Sequence, residues 1–240
     1  MNQKFLYLGN KSPVYDYLLS IGETHITQQK ITPQYISEYD WVISYGYRHI
    51  LKNHHILSSH NPIVNLHISY LPWNKGADPN YWSWVENTPK GVTIHAIDEG
   101  VDTGGIFIQK EIKFKDNETL SSSYEKLKNE IENLFITNFE NITKGIILPK
   151  PQPQGGSLHY KKDFPGVKSW DIKTKNLIKM TDLEIIDAVE AVRTKNNKNW
   201  MDVLRVAFKH APEEARPILA EINKSDGEIS RLLDKLANNK

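Results

Sequence analysis

The stretch Val64–Pro72, "VNLHISYLP", closes an apolar run with two polar residues, Asn65 and His67, and then breaks it with proline. Together with Pro62 and Ile63 it reads as a strand, "PIVNLH", that delivers Asn65 and His67 at its carboxyl end. In open α/β sheets that is the edge where ligands bind. The surroundings decide whether these two side chains carry chemistry.

Upstream, "KFLYLG" reads as a buried strand, followed by Ser12 as N-cap, Pro13 at the first helical position and Gly22 just past the helix end. The alternation continues with "THITQ" as strand, "TPQYISEY" as a short helix opened by Pro33, "DWVISYG" as strand and "HILKNHHIL" as helix. Downstream, Asp78 is expected to cap and Pro79 to open a helix in "ADPNYWSWVEN". Two β-rich runs, "GVTIHAI" and "GGIFIQKEI", flank the acidic loop "DEGVDTGG". Ser122 and Glu125 predict a capping box for a helix whose apolar positions include Leu127, Ile131, Leu134 and Phe135. This is the pattern of an α/β, Rossmann-like domain with a mostly parallel sheet over residues 1–145.

Composition shifts after that. "LPKPQPQGG" cannot be helix, so 146–175 is expected to be an extended connector and β-hairpin. Residues 176–240 read as a helical region, with a capping box at Thr181 and Glu184. Its apolar stripes are Trp200, Val203, Leu204, Ala207, Phe208 and Ala211, then Ile229, Leu232, Leu233 and Leu236.

The chain has no cysteine, which excludes disulfides, thiolate metal sites and a cysteine nucleophile; no metal is expected. No segment approaches the ~20 apolar residues of a membrane helix, so a cytoplasmic protein without a membrane partner is expected. Thirty Lys and Arg stand against 29 Asp and Glu, a balance that disfavours a phosphate-tracking surface. A helix-turn-helix built on Lys198, Arg205 and Lys209 would sit beside Glu213, Glu214 and Glu221, so no nucleic-acid partner is expected.

Alone, "NLH" is weak. The ordered series Asn65, His67, "LPWNKG" and "GVTIHAIDEGVDTG" with Asp102 resembles the 10-formyltetrahydrofolate-dependent formyltransferases. That resemblance implies Asn65, His67 and Asp102 as the catalytic trio. Asn65 and a protonated His67 would donate to the oxygen that gains charge as an amine attacks the formyl carbon, and Asp102 would accept or relay the amine's proton. It further implies a folate pocket at Asp98 and Glu99, with His95, Ile97 and Tyr45 as companions. The donor would be 10-formyltetrahydrofolate.

The same head serves several amines. "GNKSPVYDY" departs from the glycine-rich turn expected of the purine enzyme, and the helical tail does not read as the barrel of the tRNA enzyme. Residues 66–112 together with "GSLHYKKDF" resemble the sugar N-formyltransferases. The acceptor implied is a nucleotide-linked deoxyamino sugar, such as a dTDP-4-amino-4,6-dideoxyhexose. Lys75 and Gly76 would lie along its diphosphate and Tyr81 or Trp82 would form an aromatic wall. His159 and Lys161 would contact the nucleotide or a second subunit of a homodimer. Rival readings are a methionyl-tRNA or glycinamide ribonucleotide formyltransferase, and a non-catalytic folate-binding regulator.

Overall fold

Phe5, Leu6, Tyr7 and Leu8 are all fully buried in β1 (Lys4–Gly9), the mark of a central strand covered on both faces. The computed structural model describes residues 3–178, 182–195 and 209–238. In it β1 is flanked in parallel by β2 (Glu23–Thr27) and β3 (Trp41–Tyr45), and β3 in turn by β4 (Val64–His67). Two antiparallel strands, β6 (Gly91–Ala96) and β7 (Ile106–Glu111), complete a sheet of order β2-β1-β3-β4-β6-β7. A short parallel ribbon pairs β5 (Lys75–Gly76) with β8 (Leu158–His159).

The first two helices start where local chemistry dictates. Ser12 accepts the Tyr15 N–H ahead of α1 (Pro13–Ile21), and Thr32 does the same for Tyr35 ahead of α2 (Pro33–Ile36). The helix expected over "HILKNHHIL" shrinks to α3 (Asn53–Ile56). His49 and His55 spend their Nε2 atoms on the Gln28 and Ile31 carbonyls, and the Lys52 N–H bonds the His55 ring, which ties the preceding chain to the β2–α2 connection. Pro79 opens α4 (Pro79–Val85), but Asp78 makes no capping bond because its backbone is left-handed, φ 52°.

The cap of α5 (Leu120–Thr143) lies three residues before the expected one. Thr119 and Ser122 form the box, with Oγ1 and Oγ each accepting the other's N–H at 3.0 and 2.9 Å. The Leu120 and Ser121 N–H groups go to the Ile172 and Trp170 carbonyls, so the later extended chain finishes this helix end.

Side chains alternate across the sheet. Phe5, Tyr7, Trp41, Ile43, Val64, Leu66, Val92 and Ile94 face α1 and α5. Leu6, Leu8, Val42 and Ile63 form a second core with Ile36 and Leu51 on the α2–α3 side. By the same alternation Asn65, His67, Thr93 and His95 belong to this second face.

Residues 146–178 are mostly extended and form no hairpin. Lys150 bridges Ile106, and β8 joins β5 rather than folding on its own sequence neighbours. Contacts divide the chain into two units, Met1–Ile178 and Lys179–Lys240. Within the second, α6 (Asp182–Lys195) and α7 (Pro212–Ala237) bury Ile185 and Leu232 among Ala188, Val192, Ile229 and Leu236. Leu233, expected in that stripe, is exposed, one helical step off the buried face. Ala211 is the N-cap of α7 and not part of a continuous apolar face. Thr181, Lys198, Arg205 and the stripe from Trp200 to Phe208 lie outside the described residues. Among the described residues no helix is long and apolar enough to cross a membrane.

Candidate active site

The register of β4 against β6 sets Asn65 directly opposite His95 and His67 opposite Thr93. Four polar side chains are thereby presented side by side near the carboxyl end of β4. Asp102 reaches them from the β6–β7 loop, held at φ 52°, a conformation that Asp tolerates better than most residues. The Asn65 amide donates to Asp102 Oδ1 at 3.3 Å and lies 3.1 Å from His95 Nε2. The Gly76 N–H donates to Asp102 Oδ2 at 2.8 Å. Gly76 is required there: its φ is +83°, and a Cβ would come within 2.2 Å of the His159 carbonyl oxygen.

His67 is held at one nitrogen and faces a carboxylate with the other. Nε2 meets the Asn74 carbonyl at 3.1 Å, and Nδ1 faces Asp102 Oδ2 at 3.6 Å. Both neighbours are acceptors, so a ring hydrogen on either nitrogen points at an oxygen. The second distance exceeds a hydrogen bond, which leaves the Nδ1 donor open to an incoming oxygen. Asn74 is itself 0% exposed and left-handed, φ 55°. Its amide donates to Glu86 and Ser157, Thr88 donates to its Oδ1, and its N–H goes to Ser157, so the carbonyl that holds His67 is fixed on every side.

Burial alone would push the Asp102 carboxyl up. It is outweighed by the field of His67, by the hydrogen bond and field of His95 and by the Gly76 N–H, which together hold the group well below the usual carboxylate range. His95 is 1% exposed, with Nδ1 on the Ala96 carbonyl at 2.8 Å and Nε2 3.4 Å from Asp102. It supports the carboxylate from behind.

These groups border a cavity of about 490 Å³ at the carboxyl edge, bounded by the β1–α1 turn, Tyr45, Asn65, His67, Gly76 and Asp102 on one side and by α5 on the other. From α5 come Tyr124, Lys128 and Glu132, one helical turn apart. Glu132 is only 4% exposed and accepts from the Tyr45 hydroxyl at 3.2 Å. Burial raises both groups; for Glu132 the Tyr45 bond and Lys128 partly offset it, whereas for Tyr45 the charge of Glu132 adds to it.

The remaining expected residues separate into groups. Tyr81, Trp82 and His159 form an aromatic cluster in which the Trp82 and His159 rings stack at 4.1 Å and Tyr81 meets Phe164 edge-on. His159 also lies 3.1 Å from Glu86, which links this cluster through Asn74 to His67. Lys75 sits on β5 and Lys161 in an exposed turn, both away from the cavity lining. Ile97 packs in the second core. Asp98 spends Oδ1 on the Gly100 N–H and the Thr103 hydroxyl, shaping its own turn, and Glu99 is exposed. Sequence reasoning missed Lys11, Ser12, Asn74, Tyr124, Lys128 and Glu132. Glu132 left a signal: it is a charge beside the apolar positions Leu127, Ile131 and Phe135.

Residues 25–138 match the family model described as formyl transferase. The methionyl-tRNA formyltransferase of Thermodesulfovibrio yellowstonii is 35% identical over 148 residues, covering 60% of this chain and 46% of the relative. The dTDP-4-amino-4,6-dideoxyglucose formyltransferase of Mycobacterium tuberculosis is 31% identical over 112 residues, 47% of this chain and 48% of the relative. The chain thus spans about half the length of the curated relatives it matches. A crystal structure of the formyltransferase PseJ from Anoxybacillus kamchatkensis, in complex with UDP-4,6-dideoxy-4-formamido-L-AltNAc and tetrahydrofolate, superposes with a TM-score of 0.69. It is 43% identical, covering 73% of this chain and 97% of that one. With identity of that level across nearly the whole of the solved relative, and the polar cage at the edge its fold reserves for ligands, the chain belongs to the formyltransferase family.

Proposed function

We propose that the protein transfers the formyl group of 10-formyltetrahydrofolate to the 4-amine of a nucleotide-linked 4-amino-4,6-dideoxy sugar, with uridine as the nucleoside. The observation that carries this reading is the convergence of Asn65, His67 and Asp102 within 3.6 Å on one cavity wall. The choice of uridine leans on PseJ, which shares 43% identity over 97% of its length. The thymidine expectation leans on relatives of 31% identity matched over 48% of theirs.

In the proposed reaction the neutral amine adds to the formyl carbon, and the carbonyl electron pair moves onto oxygen. His67 Nδ1–H, and the Asn65 amide hydrogen held only by the long Asp102 contact, are the donors for that oxygen. Collapse then breaks the carbon–nitrogen bond to the donor, and the proton lost by the amine ends on the departing folate nitrogen. Asp102 serves here as a fixed anion. A carboxylate that accepts from Asn65 and Gly76, faces His67 and His95 and is held below its usual range is a poor base, so its part is to orient His67 and favour its charged form, and the proton-acceptor role expected from sequence suits it less well.

A screen of UDP- and dTDP-linked 4-amino sugars with 10-formyltetrahydrofolate, reading tetrahydrofolate release, tests this. Turnover is expected with a UDP-4-amino sugar. Turnover only with dTDP-sugars would shift the nucleotide, and turnover only with glycinamide ribonucleotide or initiator tRNA would sink the sugar reading.

A homodimer joined through 146–175 belongs to the same proposal. Ile146, Leu148, Tyr160 and Trp170 are exposed along that segment and are the apolar side chains such a contact would cover. Sedimentation equilibrium at micromolar concentration is expected to return twice the 27.7 kDa chain mass, and a monomer at that concentration would reject the dimer.

A further inference from the structure

A second cavity, of about 470 Å³, shares no lining residue with the catalytic one. It lies where the end of α4 and the start of β6 meet the chain leaving β7 and the late connector. Trp84, Ile112, Phe114 and Ile178 give it an apolar lining, with the Trp84 and Phe114 rings edge-on at 5.3 Å. A concave apolar space of this size with a few polar groups is the usual form of a small-molecule site.

One cation enters this apolar setting. Lys90 is half-buried, its Nζ stands 4.5 Å over the Trp84 ring and it donates to the Thr88 carbonyl at 2.9 Å. Among the described residues no carboxylate pairs with it. Burial pushes its ammonium down to about 8. The other charged groups of the cavity, Glu111, Lys113, Lys115, Asp116 and Lys175, are exposed, and Glu111 is already paired with Lys113. A half-buried ammonium held by one carbonyl and one ring face lacks the anion that would offset its lost hydration.

The same lysine leads to the catalytic wall. Thr88, which accepts from Lys90, donates through Oγ1 to Asn74 Oδ1 at 2.7 Å, and the Asn74 carbonyl is the group that His67 Nε2 meets at 3.1 Å. Thr88 and Asn74 therefore stand between the two cavities. An anion beside Lys90 competes with the Thr88 carbonyl for the ammonium, and a charged acceptor is the stronger of the two.

We propose that this cavity binds a singly charged amphipathic carboxylate, its aromatic or branched body on the apolar lining and its carboxylate on Lys90, and that occupancy slows turnover by drawing Lys90 from Thr88 and loosening the Asn74 carbonyl behind His67. One interior cation suits one negative charge, and the apolar lining suits a body without a second. Binding stands apart from the function proposed above, and only the effect on turnover rests on it.

Calorimetric titration with 1-naphthylacetate and its neutral isostere 1-naphthylacetamide tests the site without turnover. The acid is expected to bind saturably with a Kd of about 1 mM or tighter, ordinary for a ligand of its size, and the amide about tenfold more weakly for want of the charge. Lys90→Met, which keeps an apolar stem over Trp84, should erase the preference for the acid, and so should Lys90→Gln. The comparison of acid with amide in the wild type decides the point even where neither variant folds. In histidine-labelled protein the acid should shift the His67 ring resonance, assigned with His67→Gln. With donor and acceptor present it should lower kcat about fivefold while both KM values hold, a coupling of the usual size. Equal binding of acid and amide, a preference that survives Lys90→Met, or no saturable binding of the acid overturns the site. Binding that leaves the His67 resonance and kcat in place, or that raises a KM instead, overturns the coupling. Absence of turnover with every acceptor sinks the formyl-transfer reading alone, because the calorimetry and the His67 resonance still decide this one.

Discussion

Asp102→Asn is expected to lower kcat about 10³-fold with little change in either substrate's KM, the loss that follows removal of a preorganised electrostatic element. The substitution is chosen to leave geometry intact. Asn is among the few residues at ease at φ 52°, and its carbonyl can still accept the Gly76 N–H that Asp102 accepts at 2.8 Å. What disappears is the negative charge between His67 and His95, and with it the field that the proposed reaction uses to favour a cationic ring. The pH profile of kcat should therefore change, because the anion that the ring faces at 3.6 Å is gone. A general-base role would predict something different: the variant would lose the acid limb belonging to the carboxylate. Stability follows the same sign. Asp102 has a depressed carboxyl in the folded protein, so its contribution is complete above the unfolded value of about 3.9 and fades as pH falls through the lower folded value. The variant should be less stable at neutral pH by a constant amount, and the gap should close only in strong acid. Wild-type-like kcat in Asp102→Asn would remove the anion from the mechanism.

The fold was legible wherever a local rule acted alone. Ser12–Pro13 and Thr32–Pro33 cap and open their helices by side-chain chemistry that needs no partner, and the wholly apolar "FLYL" could only be a strand covered on both faces. Legibility failed where a distant segment supplied the deciding bond. The start of α5 depends on the Trp170 and Ile172 carbonyls, some fifty residues on, which the Ser122–Glu125 pattern could not reveal. The site divides in the same way. Asn65 and His67 stood out as polar interruptions of an apolar strand, but their pairing with His95 is a fact of register between β4 and β6. Asn74 was invisible because it acts through a backbone carbonyl, which every residue has. Asp98 acts locally as a turn residue, its Oδ1 accepting from the Gly100 N–H and the Thr103 hydroxyl, the chemistry that Asp and Gly bring to a turn.

Asn65→Ala separates the two donors proposed for the developing oxyanion, and kcat is expected to fall about 10²- to 10³-fold, the usual loss for one such donor. Folate affinity should change little, since the amide's contacts are with Asp102 and His95 on the catalytic wall. The cost in stability should be small as well. Asn65 is only partly buried, and the Asp102 oxygen it leaves, Oδ1, still faces His95 at 3.4 Å, so no carboxylate oxygen is stranded without a donor. A fall in kcat with an unmoved pH profile is the signature that distinguishes this variant from Asp102→Asn, because the charge that governs His67 remains in place. If instead both variants lose activity and shift the profile together, Asn65 acts by positioning Asp102. The oxyanion would then rest on His67 Nδ1 alone, clamped from behind by the Asn74 carbonyl.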